Sequence, residues 1–128
     1  MDILLDTHTF LWFGLASPKL SNFAQGLIQN PYNRKYLSMA SPWELSIKIS
    51  VGKFQLAEPV DKFFEDQMHL DDINFLQITL AHIARVATLP LHHRDPFDRM
   101  LVAQSLTGNI PLVSADAALD AYGINRLW

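Results

Sequence analysis

Short apolar segments alternate with longer helical patterns along the chain, and this alternation restricts the fold more than any other feature. The strand candidates are five short runs: residues 2–6, 35–40, 73–78, 111–114 and 126–128. Helical patterns lie between them, at residues 9–16, 17–29, 42–51, 59–70, 80–88, 96–107 and 115–122. Strands that alternate with helices form parallel sheets whose faces are both covered by helices. The sequence therefore predicts an α/β fold with the run 2–6 as a central strand and the run 126–128 at an edge.

The composition predicts a single domain, residues 1–128, because 128 residues with 49% hydrophobic side chains are enough for one core. The absence of cysteine excludes disulfides, thiolate metal sites and cysteine nucleophiles. The N-terminal residues have neither the basic nor the apolar region of a signal peptide. No apolar run approaches the roughly 18 residues that span a membrane. We therefore expect a cytoplasmic protein that does not enter a membrane.

The formal net charge of −3 argues against a general nucleic-acid-binding module, since such proteins are usually basic. It argues less against a nuclease. If four of the thirteen acidic residues bind metal, nine acids remain against ten lysines and arginines. The surface that meets a polyanionic substrate would then be close to neutral or locally basic.

Four acidic residues define the candidate active site, because each lies where an apolar run or a loop gives way to a helix: Asp6, Glu44, Asp98 and Asp116. The carboxyl ends of parallel strands share one edge of a sheet, so we expect these side chains to meet there. Clustered carboxylates repel one another and raise each other's pKa unless a cation lies between them. Several oxygens and water suit Mg²⁺ or Mn²⁺. The pattern predicts a metal-dependent phosphodiester enzyme.

Each of these acids also has a purely structural interpretation as a helix cap. A polar residue, a proline and, two residues later, an acid recur at residues 41–44, 58–61 and 95–98, which is close to a capping box. Asp6 and Asp116 likewise precede helices as N-caps. Asp61 has the same local pattern with no strand before it, so it serves as a control. Asp95 is interpreted mainly as the cap of the helix that carries Asp98, with a metal-linked role as the alternative.

Other polar residues give weaker signals. The five histidines show no metal-ligand spacing, and only His8 lies close enough to Asp6 to be a substrate candidate. The basic residues near the acids could contact phosphates: Lys48, Lys53, Arg94 and Arg99. For Lys48, an ion pair with Glu44 four residues earlier is an equally good interpretation.

Four segments together resemble a PIN domain, and more specifically the VapC-type ribonuclease toxins of prokaryotic type II toxin–antitoxin systems. These segments are residues 2–13, 38–56, 89–105 and 110–124, about half of the chain in the order typical of the family. The run HRDPFDRMLVAQ at 93–104 is specific, whereas LLDT at 4–7 is weak on its own. The total length also fits one PIN domain.

This resemblance implies a three-layer α/β/α sandwich whose clustered acids hold Mg²⁺ or Mn²⁺ and hydrolyse RNA to a 5′-phosphate and a 3′-hydroxyl. The four family acids match Asp6, Glu44, Asp98 and Asp116 with no departure. Ser114 matches the small hydroxyl residue that often precedes the fourth acid, and Asp95 matches an acid that is common in one branch of the family but not general to PIN domains. The resemblance also implies a homodimer and an antitoxin from the same operon that covers the active site.

Three other functions compete with this interpretation. An acid-loop phosphatase or phosphotransferase, another Mg²⁺-dependent phosphoryl-transfer enzyme, needs a second aspartate two residues after the first, where this chain has His8. A receiver domain needs an aspartate after the third strand, where the chain reads FLQIT at 75–79. A metal-independent protein-binding module that has lost catalysis would instead use exposed Trp, Phe and Leu side chains on the helices at 9–29.

Overall fold

The computed structural model describes residues 1–128 and is built on a sheet of five strands. The strands are β1 Asp2–Leu5, β2 Arg34–Ser38, β3 Ile73–Leu76, β4 Leu112–Val113 and β5 Arg126–Leu127. Their spatial order is β3-β2-β1-β4-β5, and every neighbouring pair is parallel. The predicted parallel sheet is therefore confirmed, with β1 at its centre and β5 at an edge.

Six α-helices and one 3₁₀ helix connect the strands. The helices are α1 Thr7–Gly14, α2 Asn22–Gln29, α3 Ala40–Ser50, α4 Val60–Leu70, α5 Leu80–Thr88 and α6 Pro96–Gly108, and the 3₁₀ helix is Ala117–Tyr122. None of them combines the length and the apolarity that a bilayer crossing requires. Each predicted helix is present, although several bounds differ from the sequence pattern.

Two layers of helices cover the sheet, as the side chains of β1 show. Ile3 and Leu5 face one apolar cluster and Leu4 faces another, and all three are fully buried. The first cluster includes residues from α1 to α4: Phe10, Ala24, Ile28, Leu45, Phe64 and Met68. The second includes residues from α6 and the 3₁₀ helix: Leu101, Val102, Leu119 and Tyr122. A strand buried on both faces is typical of a parallel sheet between helix layers, so the three-layer sandwich is confirmed.

Two helix ends differ from the predicted ones. The sequence places the start of the second helix at Ser17, but α2 begins at Asn22, where the Ser21 hydroxyl accepts a hydrogen bond from the Ala24 N–H at 3.0 Å. The Ser17 hydroxyl instead accepts from the Lys19 N–H in a local turn. The predicted end at residue 107 is one residue short, because α6 continues to Gly108 and Asn109 carries the left-handed φ of 50° that ends it.

Replacing Ser21 by alanine should lower the free energy of unfolding by about 1 kcal/mol, because the only side-chain cap of α2 is lost. Chemical denaturation measures this change. Ser17→Ala is the matched control and should change the stability by no more than about 0.5 kcal/mol, as expected for a surface position. Equal losses for both variants would contradict the observed start of α2.

The strand order reverses between β1 and β4, and this reversal positions the candidate site. Strands β2 and β3 lie on one side of β1, and β4 and β5 lie on the other. The segments that leave β1 and β4 therefore diverge, which opens a crevice beyond the carboxyl ends of these strands. Asp6 directly follows β1, and Asp116 follows β4 after two residues.

Candidate active site

Asp6 lies at the end of β1 and caps α1. Its Oδ1 accepts a hydrogen bond from the Thr9 N–H at 2.7 Å, and the residue is only 9% exposed. The Thr9 hydroxyl donates to the Val113 carbonyl at 2.9 Å, which fixes the start of α1 against β4. The Asp6 Oδ2 accepts no hydrogen bond from the protein. Asp6 thus fills the capping role and still offers one oxygen to the crevice.

Glu44 does not belong to a capping box, contrary to the sequence pattern. Helix α3 already begins at Ala40 and its N-cap makes no side-chain hydrogen bond. The Ser41 hydroxyl, the predicted cap, instead pairs with the Thr7 hydroxyl at 2.8 Å. Proline at position 42 is tolerated because the first turn of a helix needs no intrahelical N–H donor.

Both carboxylate oxygens of Glu44 accept hydrogen bonds inside the protein. Oε1 accepts from the Thr7 hydroxyl at 2.9 Å, and Oε2 accepts from the Lys48 ammonium at 3.1 Å. The residue is 7% exposed. The ion pair between residues four apart on α3 is confirmed. Glu44 is therefore a buried negative charge with its own counter-ion, joined to the end of β1 through Thr7.

Asp98 lies in the first turn of α6, which Asp95 caps as predicted. The Asp95 Oδ1 accepts from the Phe97 N–H at 2.8 Å and from the Asp98 N–H at 3.1 Å. Burial raises the pKa of Asp98 to about 7, with a further increase from Asp95. The neighbouring His93 acts in the opposite direction, and the charges of Glu44 and Asp6 add to the increase. Carboxylates from two other segments, Asp6 after β1 and Glu44 of α3, thus act on Asp98 together with Asp95 of its own segment, which agrees with the predicted convergence.

Asp116 is held in the turn after β4. Its Oδ1 accepts from the Ala118 N–H at 3.1 Å, so it caps the 3₁₀ helix. The Asp116 N–H donates to the hydroxyl of Ser114 at 3.1 Å, and Ser114 is fully buried. The Arg126 guanidinium donates to the Ser114 carbonyl at 3.0 Å and pairs with Asp120. Ser114 therefore orients Asp116 through the backbone of the turn.

His93 joins this cluster, and the sequence analysis missed it. Its Nε2 lies 3.5 Å from the Asp98 Oδ2 and 3.3 Å from the Asp116 Oδ2. Its Nδ1 accepts from the Asp95 N–H at 3.2 Å, so the proton of the neutral ring is on Nε2, facing the two carboxylates. Spacing rules test histidines within one element and cannot detect a loop histidine that meets residues of two others. The one sequence feature that could have indicated His93 is its position two residues before Asp95, the N-cap of α6.

An open cleft of about 310 Å³ lies against three of the four predicted acids. Its walls are formed by Asp6, His8, Trp12, Asp98, Ala115 and Asp116. Glu44 does not line this cleft, although its charge acts on Asp98. The control residue Asp61 lines a different cleft beside α4, which contains no other predicted site residue. The structure thus separates Asp61 from the other acids.

Arg99 is occupied by packing contacts. Its guanidinium donates to the carbonyls of Pro90, Val86 and Leu89 and to the Tyr122 hydroxyl, at 2.9–3.4 Å. These bonds join α6 to the end of α5 and to the 3₁₀ helix. These N–H groups of Arg99 are therefore not available for the predicted phosphate contact. Lys48, in the last turn of α3, pairs with Glu44 and keeps part of its side chain accessible.

The donor set fits a divalent cation. One ligand atom from each of His93, Asp98 and Asp116 lies within 4.8 Å of the others, and the free oxygen of Asp6 belongs to a residue lining the same cleft. Burial is the main cause of the raised pKa of Asp98, and the charges of Asp95, Glu44 and Asp6 add to it, so a cation placed here would favour the ionised form. Carboxylate oxygens are the ligands that Mg²⁺ and Mn²⁺ prefer. His93 could join them only in its other tautomer, which would break the hydrogen bond that its Nδ1 accepts from the Asp95 N–H.

Solved structures share this architecture. VapBC2 from Rickettsia felis, bound to a promoter DNA fragment, aligns with a TM-score of 0.72 and 14% identity over 99% of this chain and 98% of its own. VapBC-1 from nontypeable Haemophilus influenzae aligns with a TM-score of 0.68 and 17% identity over 99% of this chain and 97% of its own. FitAcB from Neisseria gonorrhoeae aligns with a TM-score of 0.66 and 14% identity over 100% of this chain and 97% of its own.

Identities this low establish a shared fold and nothing more. No curated protein matches the sequence of this chain significantly. The family model of the PIN domain, however, matches residues 3–125, which is nearly the whole length and includes all four acids. On the strength of that match, this chain belongs to the PIN domain family.

Proposed function

We propose that this chain is a metal-dependent endoribonuclease and acts as the toxin of a VapC-like toxin–antitoxin pair. The observation that carries the proposal is the convergence of Asp6, Asp98 and Asp116 on one cleft at the strand-order reversal. Membership of the PIN domain family, whose members are generally nucleases, supports hydrolysis of a nucleic acid. RNA as the substrate and Mg²⁺ or Mn²⁺ as the cofactor are the finer parts of the proposal.

Asp6, Asp98 and Asp116 would hold the ion, each through an oxygen at the cleft. A bound divalent ion lowers the pKa of water and neutralises charge on the phosphate. Thr7 and Lys48 already donate hydrogen bonds to the two oxygens of Glu44. Glu44 would therefore act on the ion through its negative charge or through an ordered water.

The residues around these acids fix their geometry. Asp95 and Ser114 hold the turns that carry Asp98 and Asp116. His93 directs its Nε2–H between the two carboxylates, which supports a role in keeping them together before metal binds. The protein thus supplies preorganised carboxylates, and no side-chain nucleophile is required.

The partner proposal rests on the structural neighbours and on the sequence resemblance. VapBC and FitAB complexes are the proteins to which the fold is similar. This similarity supports an antitoxin as the partner, and the resemblance to VapC-type toxins supports a homodimer. Purification from the native host, with identification of the co-purifying protein and its stoichiometry, tests both.

Cleavage of RNA should depend on added metal. We expect total RNA to be cut in the presence of Mg²⁺ or Mn²⁺, to stay intact in EDTA, and to be cut again when the metal is restored. Mapping of the ends should give 5′-phosphates and 3′-hydroxyls, because the proposed nucleophile is water. The 2′-hydroxyl of the RNA takes no part in the attack. Cleavage that persists in EDTA, or 2′,3′-cyclic phosphate ends, would contradict the proposed function.

A further inference from the structure

A second cleft, which we name the lysine cleft, adjoins the acidic cleft. Its volume is about 330 Å³, and its walls include His8 and Trp12 of α1, Leu45 and Lys48 of α3, and Lys53 and Phe54 in the following loop. His8 and Trp12 also line the acidic cleft, so the two clefts share a wall. A nucleotide bound in the lysine cleft would therefore lie next to a phosphodiester held at the acids.

The lysine cleft is suited to an anion. Lys53 is exposed and forms no ion pair. Lys48 pairs with Glu44 but keeps 38% of its side chain accessible. Four other clefts have no lysine or arginine in their walls, and the one beside α4 carries Asp61 and Glu65 instead. Charge thus selects this cleft for a phosphate.

The remaining walls are suited to a flat apolar ring. The rings of His8 and Trp12 lie 5.7 Å apart, and Trp12 is braced by Trp128 at 5.9 Å. His8 is exposed, and Leu45 and Phe54 add apolar surface. The volume lies near the lower end of the roughly 300–1,000 Å³ of small-molecule sites, which limits the occupant to about one nucleotide.

We propose that the lysine cleft binds one unpaired nucleotide of the RNA chain adjacent to the phosphodiester held at the acidic cleft. Its base stacks against His8 and Trp12, and its phosphate contacts Lys53, with Lys48 as the second cation. A paired base cannot present its face to aromatic side chains, so the substrate is single-stranded at this position. This inference rests on the proposed nuclease function and names the form of RNA that the site accepts.

The test measures affinity in a protein that does not cleave. Binding of a fluorescein-labelled unstructured RNA to the Asp6→Asn protein is followed by anisotropy at several salt concentrations. In that background, Lys53→Glu should weaken binding about tenfold and reduce the salt slope by about 0.7. His8→Ala should weaken binding severalfold, and only for RNA that carries the base, compared with RNA with an abasic position. His8 and Lys53 are exposed, so both variants should fold.

Lys19→Glu is the matched control, because Lys19 is exposed, unpaired and outside the walls of this cleft. Equal losses for Lys19→Glu and Lys53→Glu would overturn the proposal, as would equal binding of duplex and single-stranded RNA. If the wild-type protein cleaves RNA but the His8 and Lys53 variants bind RNA normally, nucleotide binding in the lysine cleft is contradicted and the nuclease function is supported. If no metal supports cleavage and both substitutions still weaken RNA binding, the nuclease function is contradicted and nucleotide binding in the lysine cleft is supported.

Discussion

Asp6→Asn should abolish metal-dependent RNA cleavage while leaving the fold intact. Asparagine caps a helix as well as aspartate does, so its side-chain oxygen can keep the 2.7 Å hydrogen bond to the Thr9 N–H. The substitution removes the charge that a divalent ion requires. Loss of groups that merely orient metal ligands already costs about 10- to 100-fold in activity, so we expect more than about 100-fold for a direct ligand.

Two further variants separate capping from metal binding at the end of β1. Asp6→Ala should lose cleavage equally and also about 1 kcal/mol of stability, because it loses the cap. Asp61→Asn should retain cleavage, because Asp61 sits in the first turn of α4 in another cleft. Initial rates of RNA cleavage and urea denaturation measure the two effects. Full activity in Asp6→Asn would mean that this carboxylate is only a cap.

Asp98→Asn should stabilise the metal-free protein at neutral pH. The pKa of Asp98 is raised from 3.8 to about 7, so the folded protein holds a proton that the unfolded chain releases between these values. Stability in EDTA therefore falls as pH rises from about 4 to 7, and this loss is absent in Asp98→Asn. We expect this loss in the free energy of unfolding to be roughly 2 kcal/mol. This value is smaller than the pKa shift alone would give, because the Asp98 side chain is 31% exposed and solvent screens its charge.

Denaturation in EDTA at a series of pH values measures the difference between the wild type and Asp98→Asn. We expect almost no difference near pH 4 and the full difference above pH 7. Added Mg²⁺ should stabilise the wild type and leave the variant unchanged, because the variant has lost one of the ligands. A wild type more stable than the variant at pH 7.5 without metal would show that the carboxylate is compensated within the protein.

The sheet and the position of the acids could be predicted from the sequence because both depend on local patterns. An apolar run such as residues 3–5 is typical of a strand in the centre of a parallel sheet, where both faces are buried. An acid at the end of that run must then lie at the edge where such sheets bind ligands. The local pattern presents capping and metal binding as alternatives for Asp6 and Asp116, whereas one oxygen of each carboxylate makes the cap and the other takes no part in it.

The remaining features depend on contacts between distant segments. The Ser41 hydroxyl pairs with Thr7, which lies 34 residues earlier, and α3 already begins at Ala40, so the local capping pattern is misleading. His93 meets Asp116 only because the turn after β4 lies beside the start of α6. Arg99 lies one residue from Asp98, yet its side chain points to the carbonyls of another helix end. Sequence spacing contains none of this information.

Calorimetric titration of Mn²⁺ into the metal-free protein tests most directly whether remote carboxylates share one ion. The comparison includes the wild type, Asp6→Asn, Asp116→Asn and the control Asp61→Asn. We expect the wild type and Asp61→Asn to bind the ion with equal affinity, and the other two to bind it at least about tenfold more weakly. Equal binding by all four proteins, or no binding by an active wild type, would contradict the account.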